Sequence, residues 1–268
     1  MKILVLGDAH LTATTVPDIG VEATEIDFVV VVGDLLDNRC RSVETGEEVL
    51  RSIARSVAPV GFVPGNHDYP YHDTLTTIEG VTDLTESNTW EGVRFVGLGC
   101  DRFNAGTEIQ YLHDPFQGDA EQVDEWLGAY REQEFGSSPP TGSDLVRSEL
   151  SASELERYSA RLRHLRDGLD DASEPRVLVS HVPPFNTPID VIREDGSPLQ
   201  GHHWGSVAVR HALREHSPTL CLCGHIHGAA GVVEVDGTLC VNPGYRGAKT
   251  IDIGGESVGI DDVELDYE

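Results

Sequence analysis

A chain of 268 residues carries 46 acidic and 19 basic side chains, a formal charge of -27. That balance argues against a general nucleic-acid binder, because no basic stripe is present for phosphates. No apolar run approaches the ~20 residues that span a bilayer. The length fits one domain with a sizeable core, or one domain with an insertion.

In chain order, the start MKILVLGD runs straight into a strand over 2–6 with no basic-plus-apolar leader, so a cytoplasmic location is expected. The strand ends in Gly7-Asp8-Ala9-His10. A second strand, 28–32, ends in Gly33-Asp34-Leu35-Leu36-Asp37. A helix near 44–57 follows, with Val49, Leu50, Ile53 and Val57 at helical spacing. Strand 60–63 leads to Gly65-Asn66-His67-Asp68, and strand 94–98 follows a turn-rich stretch. The run RVLV ends in Ser180-His181. A helix near 206–215 precedes TLCLC, which ends in Gly224-His225-Ile226-His227. GVVEV, Asp236-Gly237 and TLCVN then read as a tight hairpin, and TIDI, Gly254-Gly255 and SVGIDDVELD as another. These are β-α units followed by antiparallel strands, an α/β organisation.

Five motifs thus end β-type runs, and strand ends that carry Asp, Asn and His converge on a crevice at the carboxyl edge of a sheet. Carboxylate, amide oxygen and imidazole suit Mn, Fe, Co, Ni or Zn better than Ca or Mg. Two such ions need an anionic bridge, which one carboxylate provides. About 3.5–4 Å apart, they clamp the attacking and leaving oxygens of a phosphoryl transfer and lower the pKa of water. Taken singly, Asp8 and Asp34 read as caps after strands, and His181 as a structural histidine. Position after a strand, repeated five times, moves them to ligands.

The order and spelling of the five blocks resemble the calcineurin-like metallophosphoesterase family, whose pattern runs D-x-H, G-D-x-x, G-N-H-D/E, H, G-H-x-H. The resemblance implies a two-layer β-sandwich flanked by helices and two divalent ions, with Mn favoured. It implies Asp8, His10 and His227 on the first ion, Asn66, His181 and His225 on the second, and Asp34 bridging. His67 would face the substrate and protonate the leaving oxygen, with Asp68 fixing its tautomer. Asp37 would orient a ligand or cap a helix. The implied activity is hydrolysis of a phosphomonoester or phosphodiester by metal-bound hydroxide, on a small phosphorylated substrate, with nucleotides among the candidates. The alternatives are a catalytically weak scaffold or regulatory protein of the same fold, and a phosphoprotein phosphatase. The family's scaffolds have lost ligands, and none is missing here. The phosphatases spell the second and third blocks G-D-x-V-D-R-G and G-N-H-E, whereas this chain has Asp37-Asn38 and Asp68.

Residues 101–173 match the family least. Gly136-Ser137-Ser138-Pro139-Pro140-Thr141-Gly142 is a break. Ala120–Gln133 before it can form a helix. After it, Leu155, Tyr158, Leu162, Leu165 and Leu169 form an apolar stripe, with Ser153 and Glu156 as a capping box. A helical pair inserted between core strands is expected, as a lid, a surface elaboration or a dimer contact. His72, His113, His164, His211 and His216 read as surface or packing residues, whereas His202 and His203 lie in a loop that substrate can reach. Cys40, Cys100, Cys221, Cys223 and Cys240 lack zinc-finger spacing and read as thiols, several of them in apolar strands.

Only Lys2 and Lys249 are lysines. So much negative charge opposes compaction unless salt screens it. At about 1 M salt the Debye length is roughly 3 Å. The acidic, lysine-poor balance resembles that of proteins from salt-accumulating haloarchaea.

Overall fold

Runs such as KILVL lack polar alternation because their strands are covered on both faces. The computed structural model describes residues 1–12, 18–19, 25–37, 43–100, 152–170, 175–195, 200–201, 203–254 and 257–266. The elements are β1 (Lys2–Gly7), β2 (Asp18–Ile19), β3 (Phe28–Val31), α1 (Glu44–Ser56), β4 (Val60–Phe62), α2 (His72–Leu75), β5 (Val81–Asp83), β6 (Asn88–Trp90) and β7 (Val93–Leu98). After these come α3 (Ala152–Leu169), β8 (Arg176–Ser180), α4 (Val207–His216), β9 (Leu220–Leu222), β10 (Gly231–Val235), β11 (Thr238–Asn242), β12 (Gly247–Gly254), β13 (Ser257–Val263) and β14 (Leu265–Asp266).

Two six-stranded sheets result, in the orders β13-β12-β1-β3-β4-β5 and β10-β11-β9-β8-β7-β6, and β14 pairs with β2 apart from them. Within the first sheet β1, β3, β4 and β5 are parallel, and within the second β7, β8, β9 and β11 are parallel. The period-2 geometry of a strand sorts the side chains between layers. Ile3, Val5, Phe28 and Val30 pack against Val177, Val179, Leu220 and Leu222 between the sheets. Leu4, Leu6, Val29 and Val31 face outward onto Val49, Leu50 and Ile53 of α1. Leu178 and Cys221 share a cluster with Tyr158, Leu162, Leu165 and Leu169 of α3 and with Val209 and Ala212 of α4. The fold is the two-layer sandwich flanked by helices.

Local chemistry sets the element ends. The Ser206 hydroxyl caps α4 by accepting the Val209 amide at 3.1 Å, and Ser217, with φ 41°, ends it in the left-handed region. Asp236 and Gly237 take φ 50° and 79°, the mirror-image turn that matches strand twist in a two-residue hairpin. Glu91 and Gly92 do the same between β6 and β7.

The expected strands, the helix after the second motif and the helix before the last stand within a residue or two of where the pattern put them; β12 begins earlier, at Gly247, and the run 257–266 divides into β13 and β14, the latter paired with β2. The stretch read only as turn-rich holds β5 and β6, three-residue strands at the sheet edges, whose partly covered segments hold no continuous apolar run. Helix α3 confirms the stripe at Tyr158, Leu162, Leu165 and Leu169, all buried. It therefore forms part of the outer core, although it falls within the expected insertion. The expected helix 120–133, the break at 136–142 and the Leu155 and Ser153–Glu156 side chains lie outside the described residues, as do Cys40, His113 and His202. Cys100, Cys221, Cys223 and Cys240 are buried thiols. No described helix is long and apolar enough to cross a membrane.

Candidate metal centre

Every ligand candidate follows the carboxyl end of a parallel strand. Asp8 and His10 follow β1, Asp34 follows β3, and Asn66 and His67 follow β4. His181 follows β8, and His225 and His227 follow β9. The turns are sharp. Asp8, His10, Asp34 and His225 have φ of 45°, 44°, 49° and 67°, a left-handed conformation that costs of order 1–3 kcal/mol each and persists where the surroundings enforce it. Gly65 is needed for close approach: a Cβ there would meet Asp34 Oδ1 at 2.1 Å and the Asp34 amide nitrogen at 2.2 Å.

Three groups of ligand atoms lie within 4.8 Å of one another: Asp8, His10 and His227; His10, Asp34 and His67; and Asp34, His181 and His225. Two residues, His10 and Asp34, each belong to two groups. In the first, His10 Nε2 and His227 Nε2 are 3.0 Å apart, and His227 Nε2 is 3.6 Å from Asp8 Oδ1. In the third, His181 Nε2 is 3.5 Å from Asp34 Oδ2 and 3.2 Å from Asn66 Oδ1. The other nitrogen of His181, Nδ1, donates to the Val32 carbonyl at 2.8 Å. A carbonyl only accepts, so Nδ1 keeps its proton and Nε2 is the nitrogen turned inward, the orientation a metal ligand requires.

The electrostatics also call for positive charge. Asp8 and Asp34 are 1% and 2% exposed. Burial opposes the charged form of Asp34, yet His181, His67 and His10 hold its carboxyl well below the usual range. Burial likewise opposes a charge on His181, but the Asp34 carboxylate outweighs it and raises the ring to about 9. Burial lowers His10 and His225 to about 4, leaving neutral rings. Buried carboxylates facing imidazole nitrogens form a donor set that divalent cations satisfy, and a cation at His181 Nε2 would take the place of the proton that Asp34 stabilises there.

The remaining expected residues fall around this cluster. The His67 amide donates to Asp34 Oδ1 at 2.9 Å, and its ring Nε2 is 3.7 Å from Asp34 Oδ2. The fully buried Asp68 carboxylate accepts the amides of Leu35 (3.1 Å), Leu36 (2.9 Å) and Gly65 (3.1 Å). It thereby ties the Asp34 turn to the Asn66 turn, and these bonds fill three of its roughly four acceptor positions. Burial and the charge of Asp34 push it up to about 7. Asp37 Oδ2 is 3.9 Å from His10 Nδ1, beside a ligand candidate. His203 Nδ1 sits 2.8 Å from Asp190 Oδ1, and that buried carboxylate also accepts the amides of Asn186, Thr187 and Gly205. His203 is thus a brace of the loop after His181.

Sequence reasoning missed Tyr245 and Asn242. The Tyr245 ring lies 5.7 Å from that of His10 and 5.0 Å from that of His227. The buried Asn242 side chain donates to the Ile226 carbonyl at 3.1 Å. The signal available was Asn242-Pro243-Gly244 directly after a hairpin strand, a turn whose direction no local pattern reveals.

A described archaeal relative, an uncharacterized protein of Methanocaldococcus jannaschii, is 32% identical over 87 residues, which is 32% of this chain and 38% of that protein. The match therefore spans well under half of the relative's length. Among solved structures, a dimetal phosphatase from Danio rerio aligns over 100% of this chain and 99% of its own, with 15% identity and a TM-score of 0.52. A phosphopantetheinyl hydrolase from Mycobacterium tuberculosis covers 91% and 90%, with 18% identity and a TM-score of 0.52. At such identities the likeness is one of fold. The family model of calcineurin-like phosphoesterases matches residues 1–229, the span that holds all five motifs, and the chain belongs to that family.

Proposed function

We propose that this chain is a binuclear metal-dependent phosphoesterase that hydrolyses a small phosphomonoester or phosphodiester, with nucleotides among the candidate substrates. The observation that supports the reading best is the sharing of Asp34 between two groups of ligand atoms within 4.8 Å. In this reading Asp8, His10 and His227 would hold one ion, Asn66, His181 and His225 would hold the other, and Asp34 would serve both. Mn is favoured, with Fe, Zn, Ni and Co compatible with the same donors. Ions bound there would supply Lewis-acid charge for the phosphoryl oxygens and water of lowered pKa. His67 donates a proton to the leaving oxygen, and Asp68 supports it by fixing the two ligand turns through the amides of Leu35, Leu36 and Gly65. The family and the dimetal phosphatase and phosphopantetheinyl hydrolase that share the fold are consistent with hydrolase chemistry.

The reading extends to a cytoplasmic enzyme adapted to high salt, on the strength of the -27 charge and two lysines. The test is to purify the chain in molar KCl, measure its metal content, and screen phosphomonoesters and phosphodiesters with each of the five metals. Two ions per chain with turnover of one ester class is the expected result. One ion or none at saturation, or no turnover with any metal, contradicts the proposal.

A further inference from the structure

Among the described residues two large hydrophobic side chains are exposed, Val232 and Tyr245, and Tyr245 is the more open at 50%. One exposed ring is by itself ordinary on a protein surface, but the place of this one is not. This one stands at the metal centre, over the rings of His10 and His227, and the Arg246 guanidinium lies 5.4 Å from its centroid.

The backbone holds it there at some cost. Gly244 and Arg246 on either side have φ of 86° and 50°, and the second is unfavourable for a residue with a Cβ. The turn is fastened to the ligand-bearing segments. Asn242 Oδ1 accepts the Gly244 amide at 2.9 Å while its Nδ2 donates to Ile226, the residue between His225 and His227. The Arg246 amide donates to the Asp8 carbonyl at 3.0 Å. The turn that carries the ring is thus tied to both sides of the centre. A side chain that served only to fill space would be buried, whereas half of this one faces solvent beside the reacting position.

We infer that Tyr245 determines specificity: its ring forms the wall against which a flat aromatic leaving group, an aryl ring or a nucleobase, rests during hydrolysis. The inference depends on the phosphoesterase reading, because that reading puts the scissile phosphorus beside His10 and His227. It adds the chemical class of what the phosphorus carries. Stacking on a fixed aromatic face is tolerant of ring identity and strengthens binding by about 10-fold.

The test uses the metal-loaded full chain in molar KCl. Calorimetry compares phenylphosphonate with methylphosphonate, and kinetics compare phenyl phosphate and adenosine monophosphate with glycerol phosphate. In Tyr245→Ala, and in Tyr245→Leu, which keeps bulk without a π face, the preference for the aromatic member should fall about 10-fold, carried by Kd and KM. Tyr245→Phe should retain it. A larger fall for adenosine monophosphate identifies a nucleobase, and a larger fall for phenyl phosphate identifies an aryl group. An unchanged preference in both Ala and Leu variants overturns the inference. So does a loss of metal with an equal fall for every ligand, which makes Tyr245 a packing support for the histidines. If the wild type turns over no ester, the reading of the preceding section fails, and the phosphonate comparison still decides the role of Tyr245.

Discussion

The first sheet ends its strands in oxygen donors, Asp8, Asp34 and Asn66, with His10 and His67 beside them, whereas the second sheet contributes only imidazole, from His181, His225 and His227. Neither edge is a complete site. The first alone would crowd two buried carboxylates, and the second would present neutral nitrogens with no charge to hold a cation. Closing the sandwich brings the two donor types within 4.8 Å. The inter-sheet core of Val5, Val30, Val179 and Leu222 therefore sets the spacing of the ligand candidates that follow those same strands.

The contrast continues away from the crevice. On the first-sheet side, His72 lies 3.0 Å from the Asp83 carboxylate, and that bond raises its pKa. On the second-sheet side, His211 is buried against the Tyr158 hydroxyl. There burial first, and then Arg214, Arg166 and Arg210, lower it to about 3.

Breaking the oxygen half should have the largest effect. Asp34→Ala removes the carboxylate common to two of the three groups, and both metal content and turnover should fall by orders of magnitude. Elemental analysis of the variant with two ions retained and near-normal turnover would count against the shared-bridge account. His67→Ala comes next. If His67 is an acid, the variant keeps both metals but loses hydrolysis of poor leaving groups by ~100-fold or more, and loses less with nitrophenyl esters, whose leaving group needs no proton. Loss of one metal instead makes His67 a ligand, which its place in the group with His10 and Asp34 also permits.

Gly65→Ala sharpens the comparison at the joint between the Asp34 and Asn66 turns. The added carbon collides with the Asp34 side chain and backbone, so one turn must move, at a cost of about 1–3 kcal/mol. Thermal melts with and without metal should show that the metal-dependent rise in Tm shrinks; an unchanged rise would mean the turns do not need this approach. Raising KCl from ~0.1 M to above ~1 M should raise the melting temperature through screening of the -27 charge. A flat or falling Tm removes the high-salt reading.

The two outlying histidines give effects that appear only as pH changes, and of opposite sign. His211 stays neutral in the folded chain to about pH 3, while the unfolded chain protonates near 6.5. Stability should therefore fall as pH drops through that interval, by at most about 1.4 kcal/mol per pH unit, and His211→Gln should flatten the fall. The raised pKa of His72 makes its contribution full below the unfolded value and lost as pH rises through the folded one. Asp83, held low by His72 and Thr85 against its burial, contributes above its unfolded value and loses that contribution as pH falls. This half-exposed pair is worth less than about 1 kcal/mol. Melts of His72→Gln between pH 5 and 8.5 should differ from wild type at the acid end of that range and converge at the alkaline end. A constant difference would mean that His72 acts by packing alone.

Most of the fold was legible because the central strands lie in continuous apolar runs covered on both faces, and because Asp, Asn and His at their ends stand out from such runs. The edge strands β5 and β6 were not, since their partly covered segments hold no continuous apolar run. The stripe of α3 was visible, but sequence offered no way to see that it packs on Leu178 and Cys221 as part of the outer core. Among site residues, the ligand candidates announced themselves by motif. Tyr245 did not, because its place depends on how the turn after β11 folds back, which the distant Asn242–Ile226 bond decides. The network on Asp190 was hidden for the same reason: its partners are backbone amides.

The most direct test is a crystal structure of the chain loaded with Mn, with the ions located by anomalous scattering. The account predicts two ions about 3.5–4 Å apart, an Asp34 oxygen bound to both, Asp8, His10 and His227 on one side, Asn66, His181 and His225 on the other, and His67 bound to neither. A single ion, or two ions without Asp34 between them, would contradict it.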